Sequence, residues 1–215
     1  MSVRDAVLTP KQAVALQREL APRIDRTLHC REPRTVAGVD TSIRAGLVHA
    51  AVCLFSFPAL EWLETASTVR PVEFPYVPGL LTFRELPALC DAYERLSREP
   101  DLILVDGQGL AHPRRIGIAS HLGLELDRPS VGCGKTLLVG EHRVPGERRG
   151  ARTRLVHEDE VIGACLRTQT GVRPVYVSIG HRVDLPFAVR ILLRCASRYR
   201  LPEPIRAADH AAGKL

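Results

Sequence analysis

The sequence has few aromatic residues, and its cysteines show no metal-binding spacing. Phe, Trp and Tyr make up 5% of the 215 residues, too few for an extended surface that binds a single strand by stacking its bases. The six cysteines are spread along the chain without a C-x-x-C pair or a nearby histidine at zinc-finger spacing. We therefore expect small buried thiols in a reducing compartment.

The chain also lacks a long apolar segment. Its first residues, MSVRDAVLTPKQ, carry charges where a signal peptide needs an apolar run, and no later stretch reaches the length of a membrane span. We expect a soluble, cytoplasmic protein without membrane contact. There is no internal repeat, and 215 residues fit a single domain, 1–215, that can bury its own core.

Positive charge is in excess. The net charge is +6, with 30 Lys and Arg against 24 Asp and Glu, which suits a partner that carries phosphates, although many basic proteins bind no nucleic acid. Residues 141–154 are polar, contain a proline and two glycines, and hold several of the arginines. They predict an exposed basic loop, whose arginines either contact phosphates or are simply solvated. The candidates for phosphate contact are Arg148, Arg149 and Arg152.

The most informative stretch is an apolar run that ends in a carboxylate. Residues 102–105 predict a buried strand, and Asp106, Gly107, Gln108 and Gly109 follow at once. In open α/β sheets, ligands bind at the carboxyl ends of the strands, where glycines let the backbone approach a ligand. Asp-Gly is also one of the commonest turn dipeptides, so a simple turn is the alternative interpretation.

A second predicted strand ends in the same way. Residues 35–40 are apolar and β-branched and finish at Asp40. With residues 47–57 and 60–72 they predict three successive antiparallel strands. Thr9 and Pro10 predict the start of a first helix that runs to Leu20. The later predictions are a helix over 114–124, a strand over 130–133, strand-rich segments over 155–168 and 174–180, a helix over 184–199 and a short tail helix.

A proline-rich segment comes before the next acid. Residues 71–78 hold three prolines and predict a stiff loop. Pro87 predicts the start of a helix that runs to about residue 97, which would leave Glu85 outside it and free to enter a site. The alternative is that Thr82 and Glu85 form a capping box.

Together these acids predict a magnesium site. Asp40 and Asp106 end neighbouring strands and supply the hard oxygen ligands that Mg²⁺ prefers. Glu85 and either Asp209 or His210 of the tail helix could complete the ligand shell. A metal held there would polarise a phosphate and activate an attacking water.

Five segments resemble one known family. VAGVDTSI, FPYVPGLLTFRE, VDGQGLAHPRRIGIASHLG, VGCGKTLLVG and LPEPIRAAD are similar to the motifs of endonuclease V, a nuclease that acts at deaminated adenine, and they occur in the family's order. The resemblance extends from about residue 8 to residue 209. It implies an α/β, ribonuclease-H-like fold in which three antiparallel opening strands are followed by parallel strands, with helices flanking the mixed sheet.

The resemblance also implies roles for individual residues. Asp40 and Asp106 would be ligands of Mg²⁺, for which Mn²⁺ can substitute, with Glu85 as a further acid and Asp209 preferred over His210 in the tail. His112 and Lys135 would support catalysis near the phosphate, Lys135 as a fixed charge and His112 by orienting water or a phosphate oxygen. A lone loop histidine is otherwise usually just hydrogen-bonded.

The same resemblance implies how the substrate is read. Pro75, Tyr76, Val77 and Pro78 would form a strand-separating wedge, unless Tyr76 merely packs in the core. A pocket for the extruded base would be lined by Gly79, Gly107, Gly109, Gly132 and Leu138. The implied reaction is cleavage of the second phosphodiester bond 3′ to deoxyinosine, by a monomer, with inosine-containing DNA or RNA left open as the natural substrate.

Two other functions compete with this interpretation. VGCGKT suggests a phosphate-binding loop of an ATPase, but that motif needs glycine where this chain has Pro129. A non-catalytic module that only binds inosine would have no need of Asp40, Glu85 and Asp106 together. The serious alternative is a structure-selective or inosine-RNA-directed nuclease of the same fold.

Overall fold

The computed structural model describes residues 8–214, which form one eight-stranded mixed sheet with helices on both faces. The strand order is β3-β2-β1-β4-β5-β8-β7-β6. The strands are β1 Thr35–Arg44, β2 Leu47–Ser56, β3 Trp62–Pro71, β4 Leu102–Asp106, β5 Ser130–Gly134, β6 Arg152–His157, β7 Glu160–Leu166 and β8 Val175–His181. The helices are α1 Pro10–Leu20, α2 Thr82–Glu94, α3 Ile118–Leu126, α4 Leu185–Cys195 and α5 Glu203–Lys214.

The first half of the sheet confirms the predicted topology. Strands β1, β2 and β3 form an antiparallel meander, while β1, β4 and β5 are parallel. The second half differs, because β8, β7 and β6 are all antiparallel to their neighbours. A two-residue turn at Glu158 and Asp159 joins β6 to β7, and so short a connection permits only an antiparallel pair.

The sheet lies between two apolar cores. In β4, Ile103 and Val105 face the core shared with α2 and α3, while Leu102 and Leu104 face the core shared with α4 and α5. This explains why the strand appears in the sequence as an unbroken apolar run. The carboxyl ends of β1 and β4 are therefore reached by helices from both sides of the sheet.

Local signals set several helix boundaries. Thr9 and Gln12 form a capping box at the start of α1, as the Thr9-Pro10 pair suggested, and the Asp184 carboxylate accepts from the Phe187 N–H, at 2.7 Å, at the start of α4. Helix α3 begins at Ile118 rather than Arg114, and α4 ends at Cys195 rather than residue 199. The basic loop ends at Ala151, since Arg152 already belongs to β6.

The prediction for α2 was wrong in a way that concerns Glu85. The helix begins at Thr82 with Pro87 inside it, so Glu85 lies within the helix. No side-chain capping bond is present at the start, and the first turn is closed by Phe83 N–H to Leu80 C=O and Arg84 N–H to Leu81 C=O. Because proline has no N–H, Pro87 removes one intrahelical backbone hydrogen bond near this end. Burial of the apolar face of α2 against the sheet compensates for that loss.

Two sequence expectations concern the whole described chain. All six cysteines are free thiols, and five of them are buried. Within residues 8–214, no helix is long and apolar enough to cross a bilayer.

Candidate metal centre and adjoining cavity

Three carboxylates meet where the parallel pairing of β1 with β4 ends. The prediction that the first strand finishes at Asp40 was wrong, because β1 continues to Arg44 through its antiparallel pairing with β2. Asp40, Asp106 and Asp209 each place one oxygen within 4.8 Å of the others, and we call these three residues the acidic cluster. Asp40 and Asp106 are neighbours because Val39 of β1 pairs with Val105 of β4. These hard oxygen donors, partly buried in two cases, fit a divalent cation such as Mg²⁺.

Asp209 reaches the cluster because α5 packs closely on β1. A Cβ atom at Gly38 would overlap the backbone carbonyl of Pro204, so only glycine allows this approach. Asp209 rather than His210 then belongs to the cluster, since consecutive helical residues point about 100° apart.

Glu85 lies beside the cluster and approaches from the face that α2 covers. The Thr41 hydroxyl is hydrogen-bonded to its carboxylate. Burial, opposed by that hydrogen bond and assisted by the charge of Asp106, raises the pKa of Glu85 to about 7. Burial also raises the pKa of Asp40 and of Asp106, and the charge of Asp106 adds to the shift at Asp40. Burial is the main cause of all three shifts, and repulsion between the acids is a smaller one.

Lys135 is the cation nearest to these acids. It follows β5, and its ammonium contacts the Asp106 carboxylate and lies 3.8 Å from Asp209. Burial lowers the pKa of Lys135, but the hydrogen bond and charge of Asp106 outweigh burial and raise it above its ordinary value. Lys135 therefore stays charged at the edge of the cluster.

A cavity of about 330 Å³ adjoins the cluster and shares Asp106 with it. One wall is formed by residues 76–79 of the segment 75–79, here named the proline loop. The opposite wall is formed by Gly134 at the end of β5 and by residues that follow it. Tyr76 at the tip of the loop is 72% exposed, so it does not pack in the core. The volume suits a small ring system such as a nucleobase.

The five predicted pocket residues fall into two groups. Gly79, Gly107 and Leu138 line the cavity, whereas Gly109 and Gly132 are absent from its lining. A Cβ at Gly109 would overlap the Ile179 carbonyl, and a Cβ at Gly132 would come within 2.5 Å of the Gly109 nitrogen. Gly109 therefore lets the segment after β4 pack against β8, and Gly132 lets β5 pack against that segment.

Several lining residues were missed by the sequence interpretation, and Gln108 and Gly134 are the most informative of them. Gln108 donates from Nε2 to the Thr136 carbonyl at 2.9 Å and so joins the two loops that border the cavity. Gly134 leaves room for this amide, because a Cβ there would overlap the Gln108 side chain. Both stand inside the quoted DGQG and GCGKT motifs, and this position could have identified them.

The proline loop is held at Gly79, a residue with φ of +76° that favours glycine. Its carbonyl accepts hydrogen bonds from the Gln17 side-chain amide at 3.2 Å, from Arg114 Nη2 at 2.7 Å and from His112 Nε2 at 3.0 Å. Gln17 is fully buried on α1 and also accepts from Arg114 Nε. The loop is therefore fixed to both α1 and the segment after β4.

His112 takes part in this attachment with both ring nitrogens. Its Nδ1 accepts from the Arg114 backbone N–H at 3.2 Å, so the proton is on Nε2, which donates to Gly79. Burial, then the charge of Arg114, lowers the pKa of His112 to about 4. The neutral side chain thus supports the proline loop, which is a different role from the predicted contact with water or phosphate.

The three arginines singled out from the basic loop differ in their surroundings. Arg149 donates from Nη2 to the carbonyls of Leu193, at 2.6 Å, and Ala196, at 3.3 Å, at the end of α4. Arg148 and Arg152 are exposed, the latter on the edge strand β6. Arg149 stabilises a helix end, whereas the other two side chains point into solvent.

Comparison with known proteins identifies close relatives of this fold and site. A family model described as Endonuclease V matches residues 18–210. The endonuclease V of Roseiflexus sp. strain RS-1 is 55% identical over 202 residues, which cover 94% of this chain and 90% of that protein. The crystal structure of endonuclease V from Streptomyces avermitilis matches with a TM-score of 0.93 at 39% identity, covering 100% of this chain and 97% of that one.

One similar structure contains nucleic acid. A crystal structure of a variant of Ciona intestinalis endonuclease V, in complex with a 23mer DNA containing an inosine followed by a ribo-adenosine, matches with a TM-score of 0.85 at 25% identity. The match covers 96% of this chain and 98% of that one.

Proposed function

The chain belongs to the endonuclease V family, and from its acidic site we propose that it is a DNA repair nuclease that recognises deoxyinosine. The proposed reaction is hydrolysis of the second phosphodiester bond 3′ to the lesion, which leaves a 3′-hydroxyl and a 5′-phosphate. The Ciona complex with inosine-containing DNA supports this substrate. A cytoplasmic location and a monomeric state stay predictions, to be checked by fractionation and sedimentation.

One observation carries the proposal. Asp106 borders both the acidic cluster and a cavity of nucleobase size, so a base in the cavity would place its own strand beside the carboxylates. The exposed Tyr76 at the rim suits a wedge that fills the gap left by an extruded base. A nuclease that reads only strand structure would have no use for such a cavity.

We propose Mg²⁺, with Mn²⁺ as a substitute, as the cofactor held by Asp40, Asp106 and Asp209. When bound, the metal supplies a Lewis acid that polarises the phosphate and lowers the pKa of the attacking water. Glu85, whose pKa burial raises to about 7 in the protein without a metal, would either complete the ligand shell or, outside the shell, accept a proton from the water. Lys135 supplies a fixed positive charge that binds a phosphate oxygen.

The test is cleavage of matched oligonucleotides with a single inosine or adenine, in DNA and in RNA, with and without Mg²⁺. We expect one cut per strand, two bonds 3′ to inosine, that requires the metal and is absent with adenine. Equal cleavage of the adenine strand would refute lesion recognition, and the DNA to RNA ratio decides the natural substrate. Asp106→Asn is the control for a contaminating nuclease.

A further inference from the structure

The proline loop separates two hollows of opposite character. Val77 and Pro78 line both the cavity beside Asp106 and a second hollow of about 440 Å³ between the loop and α1, here named the α1 groove. Among the described residues, the α1 groove is lined by the cations Lys11, Arg18 and Arg114 and by apolar or small side chains, and none of these lining residues is acidic. One side of the loop therefore faces carboxylates and the other faces cations.

The cations of the α1 groove are poorly neutralised. Among residues 8–214, Lys11 and Arg18 have no ion-pair partner. Burial lowers the pKa of Arg114, and the nearby positive charge of Arg18 lowers it further. In the adjoining hollow, by contrast, Arg26 and Arg115 are paired with Glu160. The groove itself thus favours an anion.

The spacing of these charges fits a nucleic-acid backbone. Lys11 and Arg18 are seven residues apart on α1, which places them on one helix face about 10 Å apart along its axis. Phosphates of one B-form strand advance about 3.4 Å per nucleotide along the duplex axis, so cations about 10 Å apart on α1 can reach two different phosphates of one strand.

We propose that the α1 groove binds the phosphates of the strand opposite the lesion, while the lesion strand lies on the carboxylate side of the proline loop. This inference rests on the proposed function. The proline loop, which would separate the two DNA strands, is fixed because Gln17 of α1 and Arg114 both donate hydrogen bonds to the Gly79 carbonyl. No carboxylate occurs among the residues between 8 and 214 that line the α1 groove, so these residues offer no metal site to the bound strand and it is kept away from cleavage.

The test compares duplex and single-stranded DNA carrying one inosine, cleaved by full-length protein in single turnover over a range of salt concentrations. For Lys11→Gln combined with Arg18→Gln, we expect the half-saturating protein concentration on duplex to rise roughly tenfold. The logarithmic salt slope should fall by about two, one per lost phosphate contact. On the single strand the change should equal that of a control with the same loss of charge.

The control is Arg31→Gln combined with Arg98→Gln, because these exposed residues lie in the connections that lead into the amino ends of β1 and β4, away from the site. Equal losses on duplex and single strand would overturn the proposal, since the groove would then bind the lesion strand. A duplex result identical to the control would also overturn it. Failure of the proposed function is distinguishable, because wild-type protein would then show no preference for inosine on either substrate.

Discussion

The ammonium of Lys135 contacts the carboxylate of Asp106, the one acid that borders both the acidic cluster and the cavity. Lys135 is thus the cation beside Asp40, Asp106 and Asp209, while the charge of Arg84 acts on the nearby Glu85. Because burial and mutual repulsion raise the pKa values of the buried acids, the protein without a divalent cation is destabilised when these acids ionise.

The first prediction concerns Glu85 and pH. Its pKa rises from 4.5 to about 7 on folding, so the folded state binds the proton more tightly, and stability falls as pH rises through this window. Glu85→Gln should remove this contribution, which is up to about 3 kcal/mol of the change in the free energy of unfolding between low and high pH. Thermal melting between pH 4.5 and 8 in a chelator should give a flatter curve for the variant than for the wild type, and parallel curves would contradict the pKa.

The second prediction concerns metal binding. Asp40→Asn and Asp106→Asn remove charge without changing size, so each should abolish cleavage while the fold persists. In wild-type protein Mg²⁺ should raise the melting temperature by mass action, and in both variants that rise should be lost. Retained cleavage in Mg²⁺ would exclude these residues as ligands. Melting in chelator serves as the control for folding.

The two strand-end aspartates could be predicted because the signal is local. An apolar run followed by a carboxylate identifies Asp40 and Asp106, and parallel pairing of the two runs brings these acids together. Asp106 ends β4, whereas β1 continues past Asp40 to Arg44 along β2, which the apolar run alone did not indicate. The place of Glu85 was predicted from a wrong helix start, since Pro87 is tolerated inside α2 when the helix buries its apolar face. Local pattern could not decide between Asp209 and His210, because that depends on how α5 packs against Gly38.

The proline loop illustrates the same limit. Its stiffness was visible in the three prolines, but its attachment was not, since Gln17 lies 62 residues from Gly79 in the chain. The glycines after β4 were likewise visible as a motif. Whether each glycine lines the cavity or packs against a neighbouring strand depends on tertiary contacts, such as that of Gly109 with the Ile179 carbonyl.

The third prediction separates the arginines. Arg149 donates hydrogen bonds to two carbonyls at the end of α4. Arg149→Gln should therefore lower the free energy of unfolding by about 1–2 kcal/mol, seen as a lower melting temperature. The salt dependence of binding should change little. Arg148→Gln combined with Arg152→Gln should leave melting unchanged and reduce the salt slope on plain and inosine-containing duplex alike. If Arg149→Gln reduced the salt slope and the double variant lowered the melting temperature, the two roles would have to be exchanged. If the salt slope stayed unchanged in the double variant, Arg148 and Arg152 would be solvated surface residues.

The fourth prediction concerns His112. With a pKa of about 4 and both ring nitrogens bound, it stays neutral above pH 5 and does not transfer protons. The pH dependence of the single-turnover rate should therefore keep its shape in His112→Asn, whereas affinity for inosine-containing duplex should fall as it does in Gln17→Ala. A limb near pH 6.5 that is present in the wild type and absent in the variant would instead make His112 an acid or base.

The last prediction tests whether Tyr76 is a wedge. Its ring is exposed at the tip of the proline loop, and the Arg84 guanidinium lies 5.7 Å from the ring centroid, so both could contact a base step. Extruding a base from a duplex costs a few kcal/mol, and stacking a ring into the gap can offset about 1–2 kcal/mol of that cost. Tyr76→Ala should therefore weaken binding to inosine-containing duplex roughly tenfold and affect the single strand less, because an unpaired inosine reaches the cavity without strand separation.

Tyr76→Phe is the matched control, since it keeps the ring and should keep duplex affinity. The duplex to single-strand ratio cancels any general loss of stability, and the metal-dependent rise in melting temperature should be the same in all three proteins because Tyr76 lies outside the acidic cluster. Equal losses on both substrates would show that Tyr76 contacts the base within the cavity instead of separating the strands.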